Sequence, residues 1–289
     1  MICCPQVRKS QIRQHYDWAT PFYRLLWGEH IHHGLWTGQE SPVVAQRQLV
    51  TELAELARIT PGSLVLDVGC GMGGSSMHLA REFGCAVTGV TLSPVQRWWA
   101  NTWARARGLG RQLTVMCDDV EQTDFSDASF DVVWSIECTE HLYDKASFFA
   151  RAARWLRPGG KLAICAWLAG GDSLDVGRTA QVERVCEAFL CPSLGSAADY
   201  ERWMSDAGLR AVARKDWTNR VMRTWEICQR RVERSRVRLL ARVVPGMVLF
   251  LDSFDAIYTA YASGAMAYGC FVFEKPSRSA QAATNGAAK

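Results

Sequence analysis

Four glycines, Gly69, Gly71, Gly73 and Gly74, follow almost directly on Asp67 in the stretch LDVGCGMGGSS. Glycines at this density let a backbone pass close to a ligand where a Cβ would collide. If a helix begins just after them, its unpaired amides face the same ligand. That combination suits a nucleotide-like molecule. GCGMGG fits both G-x-G-x-G and G-x-G-x-x-G, so the turn alone leaves the ligand open. Thr91 ends the next apolar run, where a nicotinamide dinucleotide site wants Asp or Glu for the ribose. This counts against such a site, although Thr91 and Gln96 can still hydrogen-bond a ribose. Further on, Asp118 and Asp119 are adjacent, and Glu137, Glu140 and His141 follow one apolar run closely. His141 is the natural general base of that group, because an imidazole titrates near neutrality. Glu140 has an alternative as a helix cap or as the orienter of a histidine. His141 has an alternative as a packed residue at a helix start.

These residues need elements to hold them. Ser63–Val68 reads as a buried strand, Ser75–Phe83 as a helix stopped by Gly84, and Cys85–Val90 as a second strand. Strand, glycine turn, helix, strand is a βαβ unit with a right-handed crossover. A helix over Pro94–Arg107 leads to strand Leu113–Met116, and Asp118 and Asp119 lie just past its end. Phe130–Ser135 is a fourth strand, and Ala146–Leu156 a helix closed by RPGG. Lys161–Trp167 is a fifth strand. Ser196 caps a helix over Ala197–Ala207. Leu209–Asp216 and Tyr268–Glu274 read as a sixth and a seventh strand. Such alternation predicts an α/β fold, a parallel sheet with helices on both faces. Its ligand crevice lies at the carboxyl ends of the strands.

The pattern divides the chain into an N-terminal helical lid (1–60), a core (61–217), a helical lid insertion for the acceptor (218–265), a final core strand (266–276) and a disordered tail (277–289). Residues 1–10 read as disordered, and 11–27 as a helical hairpin around Pro21. A helix runs from Pro42 to Ile59. His30, His32 and His33 lack a Cys or carboxylate at a confirming spacing, so they read as a loop and no metal is expected. In the insertion Val221, Trp225, Cys228, Val232 and Leu239 form an apolar stripe. Arg230, Arg231, Arg234, Arg236, Arg238 and Arg242 most simply make a solvated face. The sharper alternative for these arginines is peripheral contact with an anionic membrane.

The totals set bounds. A chain of 289 residues that is 48% hydrophobic and 21% charged can bury an ordinary core. Its net charge of +4 is too mild to imply nucleic acid. The 11 cysteines are scattered and include no CxxC pair, which fits reduced thiols in a cytoplasmic protein. No secretory leader or membrane-spanning run is visible. The 12 tryptophans fit a chain that encloses an apolar or aromatic ligand.

WGEHIHHG, LDVGCGMGGSS, GVTLSPVQ, FDVVWSIECTEH, WLRPGG, CEAFLCPSLGSAADY and DWTNRV together resemble a class I S-adenosylmethionine-dependent methyltransferase. More narrowly they are similar to the tocopherol O-methyltransferase family, from about residue 15 to 276. HYDWATPFY also resembles the opening of cyclopropane fatty acid synthases. The resemblance implies a Rossmann-like seven-stranded sheet whose last strand is antiparallel, with S-adenosylmethionine as cofactor. It implies that Asp67, Gly69, Gly71 and Gly73 surround the aminoacyl end, and that Thr91 and Gln96 face the ribose and adenine. Asp118 would accept from the adenine amino group, with the Asp119 amide beside it. Ser135 would sit near the methionine moiety, and Tyr16 would close over the cofactor. The partner would be a small prenylated, alkaloid or terpenoid acceptor; homo-oligomerisation stays open. Oxygen, nitrogen and carbon all remain as methyl acceptors, carbon by way of a carbocation that aromatic lids would stabilise. A cofactor-binding protein that methylates nothing is the competing class.

Overall fold

The computed structural model describes residues 1–234 and 247–277. The chain opens with a short strand β1 (Ile2–Cys3), helix α1 (Lys9–Leu26) and helix α2 (Pro42–Leu56). Strand and helix then alternate: β2 (Leu64–Val68), α3 (Gly74–Glu82), β3 (Ala86–Thr91), α4 (Pro94–Ala106), β4 (Leu113–Cys117) and β5 (Phe130–Ile136). A 3₁₀ turn (Thr139–His141) leads to α5 (Lys145–Trp155), β6 (Leu156–Ala169), α6 (Val176–Phe189), β7 (Ser193–Leu194), α7 (Ala197–Asp206) and β8 (Arg210–Asp216). Among the described residues, α8 (Thr218–Val221), α9 (Arg223–Arg234), α10 (Met247–Asp252) and α11 (Phe254–Ala262) then precede β9 (Met266–Glu274).

Seven strands form one sheet in the order β4-β3-β2-β5-β6-β9-β8. The pairs from β4 across to β6 are parallel, and β9 runs antiparallel to both β6 and β8. The seven-stranded α/β fold with an antiparallel last strand is therefore present. Strand order reverses at β2, which lies between β3 and β5. A crevice opens at the carboxyl ends of strands at such a reversal. Alternation along the strands builds two cores. Val65, Trp134, Ala163 and Cys165 join one cluster with Leu49, Val50 and Leu53 of α2. Leu66, Val133, Leu162 and Ile164 join the other with Phe148 and Phe149 of α5 and Tyr200 and Met204 of α7.

Four differences from the sequence reading have physical reasons. Residues 1–10 are ordered: β1 pairs antiparallel with β7, and Cys4 and Val7 are buried. In place of a hairpin over 11–27, Lys9–Leu26 form one continuous helix with Pro21 inside it. Pro21 is exposed, so water can satisfy the carbonyl it leaves unpaired. RPGG does not separate α5 from the strand: β6 already begins at Leu156, and a register shift between Phe130 and Val132 absorbs the extra residues. Helix α6 had no expected counterpart. Its side-chain cap is Asp175, which accepts from the Arg178 N–H at 2.8 Å.

Leu239, Arg236, Arg238 and Arg242 lie outside the described residues, as does 278–289. Val221, Trp225, Cys228 and Val232 are buried. All eleven cysteines are free thiols. Among the described residues, no helix is long and apolar enough to cross a membrane, and no cluster of metal ligands forms.

Candidate active site

The reversal at β2 holds a cleft of about 930 Å³. Asp67 at the end of β2, the turn Gly69–Met72, Thr91 at the end of β3 and Gln96 on α4 form its floor and one side. Asp118 and Asp119 come from the loop after β4, and Glu137 and Cys138 from the chain after β5. Helix α1 covers it with Lys9, Ile12 and Tyr16. This cover is tied down. Lys9 Nζ lies 2.6 Å from both Asp119 and Glu121 carboxylates, and the Ser93 hydroxyl donates to Asp17 at 2.5 Å.

The glycines divide the work. Gly69, Gly71 and Gly73 all have positive φ, at 73°, 53° and 79°. A Cβ on Gly69 would overlap Cys138, and one on Gly73 would press on Ala100 at 3.0 Å. A Cβ on Gly71 would meet only Ile31 Cδ1, at 3.9 Å, and Gly71 lines the cleft. Gly71 is thus the position where the missing side chain leaves room for a ligand. Gly73 is the cap of α3 and does not line the cleft; neither does Ser135, whose hydroxyl donates to the Val68 carbonyl at 3.1 Å. Gln96 is buried, and its Oε1 accepts from the Thr91 hydroxyl at 2.7 Å. Its Nε2 has no partner among the described residues. A buried amide with an unused donor is costly unless a ligand accepts from it. The Asp67 carboxyl accepts from the Ser76 hydroxyl at 2.5 Å, and burial pushes it up to about 7. The cleft therefore fits an adenosyl ligand: it offers an open glycine turn, a free amide donor and the Asp118 carboxylate at its edge.

Behind it lies a second cavity of about 550 Å³. Its walls are mostly rings: His15, Tyr16, Tyr23, Trp27, Trp167, Phe189, Trp225 and Phe250. Trp167 Nε1 is buried there and makes no hydrogen bond among the described residues. Tyr16, Ile31, His32, Glu137 and His141 line both cavities and form the wall between them.

Two groups in that wall carry chemistry. The Tyr16 hydroxyl is 2.8 Å from His141 Nε2, and His141 Nδ1 is 3.0 Å from the Leu190 carbonyl. A carbonyl only accepts, so Nδ1 holds the proton and Nε2 receives the Tyr16 O–H. Burial holds His141 down at about 4, so the ring is neutral at physiological pH. Burial lifts the Tyr16 phenol well above its ordinary range, so it is a donor there. Glu137 sits at φ 53°, a left-handed conformation that a side chain rarely takes. It accepts from the His33 amide and Nδ1, both at 2.9 Å, and from the Tyr268 hydroxyl at 2.7 Å. Burial opposes its charge, and the hydrogen bonds it accepts favour the carboxylate and hold it below its ordinary range. Glu140 lines only the second cavity. It accepts from the Trp167 amide at 2.5 Å, and burial raises it to about 8, which makes it a protonated anchor for β6.

Of the residues named from sequence, the cleft gathers Tyr16, Asp67, Gly69, Gly71, Thr91, Gln96, Asp118, Asp119, Glu137 and His141. Sequence reasoning missed Lys9, Ile31 and His32, and the ring-lined cavity as a whole. It also missed Leu190, at the end of the unforeseen α6. The surplus of tryptophan was the one signal for an aromatic enclosure.

A model of the methyltransferase domain matches residues 66–164. The chain is 32% identical over 235 residues to the chloroplastic tocopherol O-methyltransferase of Arabidopsis thaliana, covering 75% of this chain and 68% of that one. It is 31% identical to the 27-O-demethylrifamycin SV methyltransferase of Amycolatopsis mediterranei, covering 81% and 86%. Among solved structures it is similar to the [4+2]-cyclase SpnF, with a TM-score of 0.81 at 25% identity, covering 95% of this chain and 98% of that one.

Proposed function

The chain belongs to the class I S-adenosylmethionine-dependent methyltransferases and is akin to the tocopherol O-methyltransferases; from that premise we propose that it methylates a hydroxyl of a bulky, apolar, ring-bearing natural product held in the aromatic cavity. The observation that carries this reading is the Tyr16–His141 pair in the wall between the two cavities.

The bound cofactor supplies a methyl group activated on a sulfonium. Asp67, Gly71, Gln96 and Asp118 hold its nucleoside and aminoacyl parts in the cleft. The rings of the second cavity exclude water and bury an apolar acceptor. Trp167 Nε1 is a donor without a partner, so it suits an oxygen on that acceptor. His141 then takes the proton that the acceptor hydroxyl loses. The hydroxyl proton passes to the Tyr16 oxygen while the Tyr16 proton passes to His141 Nε2. A base held near 4 is weak, but an alkylated hydroxyl is a strong acid and needs only a vacant lone pair. Because the ring stays unprotonated, that lone pair is present over the whole neutral range. A diphosphate acceptor fits less well, since the ionised Glu137 faces the same space.

The test is a panel of hydroxylated prenyl-aromatic and macrocyclic compounds with methyl-labelled S-adenosylmethionine. The label is expected on an ether oxygen, with a rate that falls only near pH 4. His141→Ala is expected to lower turnover by roughly two to four orders of magnitude with cofactor affinity unchanged. Label on nitrogen or carbon, or near-normal turnover in the variant, refutes the reading.

A further inference from the structure

A group that moves from the cleft to the aromatic cavity crosses the wall of Tyr16, Ile31, His32, Glu137 and His141. Four of these five residues are uncharged. Ile31 is apolar, Tyr16 is a phenol, and burial keeps His32 and His141 in their neutral forms. Glu137 is the exception. Its Oε1 accepts three hydrogen bonds, from the His33 amide, His33 Nδ1 and the Tyr268 hydroxyl.

None of these donors cancels its charge. His33 would do so only with both ring nitrogens protonated. Its Nε2, however, receives the Trp225 indole N–H at 2.6 Å, and an indole only donates. His33 therefore carries one proton, on Nδ1, and is neutral. Lys145 is the buried ammonium behind the 3₁₀ turn. It is committed to the Leu142 carbonyl at 2.8 Å and the Ser193 hydroxyl at 2.7 Å. A buried carboxylate with no counter-charge is held at a cost that an incoming cation relieves.

We propose that Glu137 is the counter-charge for the cofactor's sulfonium and makes the site prefer the charged cofactor to its neutral product, S-adenosylhomocysteine. The inference rests on the shared wall being where the methyl crosses. In the transfer the carbon–sulfur bond breaks, its electron pair stays on sulfur, and a carbon–oxygen bond forms on the acceptor. The displaced proton goes to His141. Once that proton leaves, Glu137 again lacks a counter-charge and the neutral thioether loses its hold. Glu137 thereby favours exchange of product for fresh cofactor.

Isothermal titration with S-adenosylmethionine, S-adenosylhomocysteine and sinefungin, whose amine replaces the methylsulfonium, tests this without turnover. Glu137→Gln is expected to weaken both cationic ligands about tenfold or more, the order of one shielded ion pair, and to leave S-adenosylhomocysteine within about twofold. Tyr268→Phe removes one donor but keeps the carboxylate, and is expected to preserve the preference. Equal weakening of all three ligands in Glu137→Gln, or an unmoved ratio, overturns the inference. If Glu137→Gln does not fold, the wild-type chain decides: equal affinity for the cations and the neutral product refutes the preference. A wild-type chain that binds none of the three overturns the cofactor cleft itself, a result distinct from the loss of discrimination.

Discussion

Replacing Gly71 by alanine adds one methyl group at a point where the fold leaves space. The new Cβ would find only Ile31 Cδ1, at 3.9 Å, so the protein need not move. The folding cost is the left-handed backbone at φ 53°, about 1–2 kcal/mol for a non-glycine residue. For a chain of this length, with about 2.1 cal/mol/K of unfolding entropy per residue, that lowers Tm by about 2–3 °C. The same methyl intrudes on the ligand's side of the turn. Overpacking by one carbon costs about 1–3 kcal/mol, or about 5- to 150-fold in Kd for S-adenosylmethionine. Gly69→Ala is the matched control. Its Cβ would overlap Cys138, so its damage falls on the fold. Thermal melting and calorimetry of both variants separate the roles. Gly71→Ala is expected to melt close to wild type and bind poorly, and Gly69→Ala to melt far lower. Wild-type affinity in Gly71→Ala would refute the placement of the ligand against this turn.

Asp118→Ala is expected to weaken S-adenosylmethionine by about 1–3 kcal/mol in calorimetry, because a ligand donor loses its carboxylate and the Asp119 amide loses its 2.8 Å partner. Stability of the ligand-free chain is expected to be highest at about pH 5 and to decline through neutrality in melts across pH. Burial lowers His15 and His141 from 6.5 to about 4, so the unfolded chain binds more protons in that window and stability falls as pH drops through it. Burial raises Asp67 from 3.8 to about 7 and Glu140 from 4.5 to about 8, so the folded chain binds more protons between those values and stability falls as pH rises through that window. A melting temperature that stays level from pH 6 to 9 would contradict the carboxyl assignments.

The sheet was legible because its signals are local. Apolar runs, glycine stops and caps such as Ser196 each act within a few residues. The cofactor cleft was legible for the same reason, since its floor is made by strand ends and the turns directly after them. Gly73 and Ser135 show the limit of that reading. They sit in the right segments, yet one packs on α4 and the other braces β5 against β2. Sequence position gave their neighbourhood but not their direction. Pro21 and the first ten residues failed for the opposite reason. A two-residue strand is decided by its partner β7, far along the chain, and a proline is tolerated inside a helix only where the fold leaves that face exposed, as it does at Pro21.

The aromatic cavity depends on such distant partners throughout. Tyr16 comes from α1, His33 from the loop before α2, Trp167 from β6, Phe189 from the end of α6 and Trp225 from α9. Only the sheet's topology brings them to one wall. The proton chemistry follows from that convergence. His141 alone, in the turn after β5, would be a histidine of ordinary basicity. Leu190 fixes its tautomer, Tyr16 meets its lone pair, and enclosure keeps it unprotonated. Helix α6 supplies that carbonyl and, through the strand that follows it, the pairing partner of β1. The two elements least visible in the sequence thus fix the orientation of the proposed base and the start of the segment that covers the cleft. Acceptor choice is expected to change with α1, α6 and α9, while the residues at the ends of β2, β3 and β4 keep the cofactor in common.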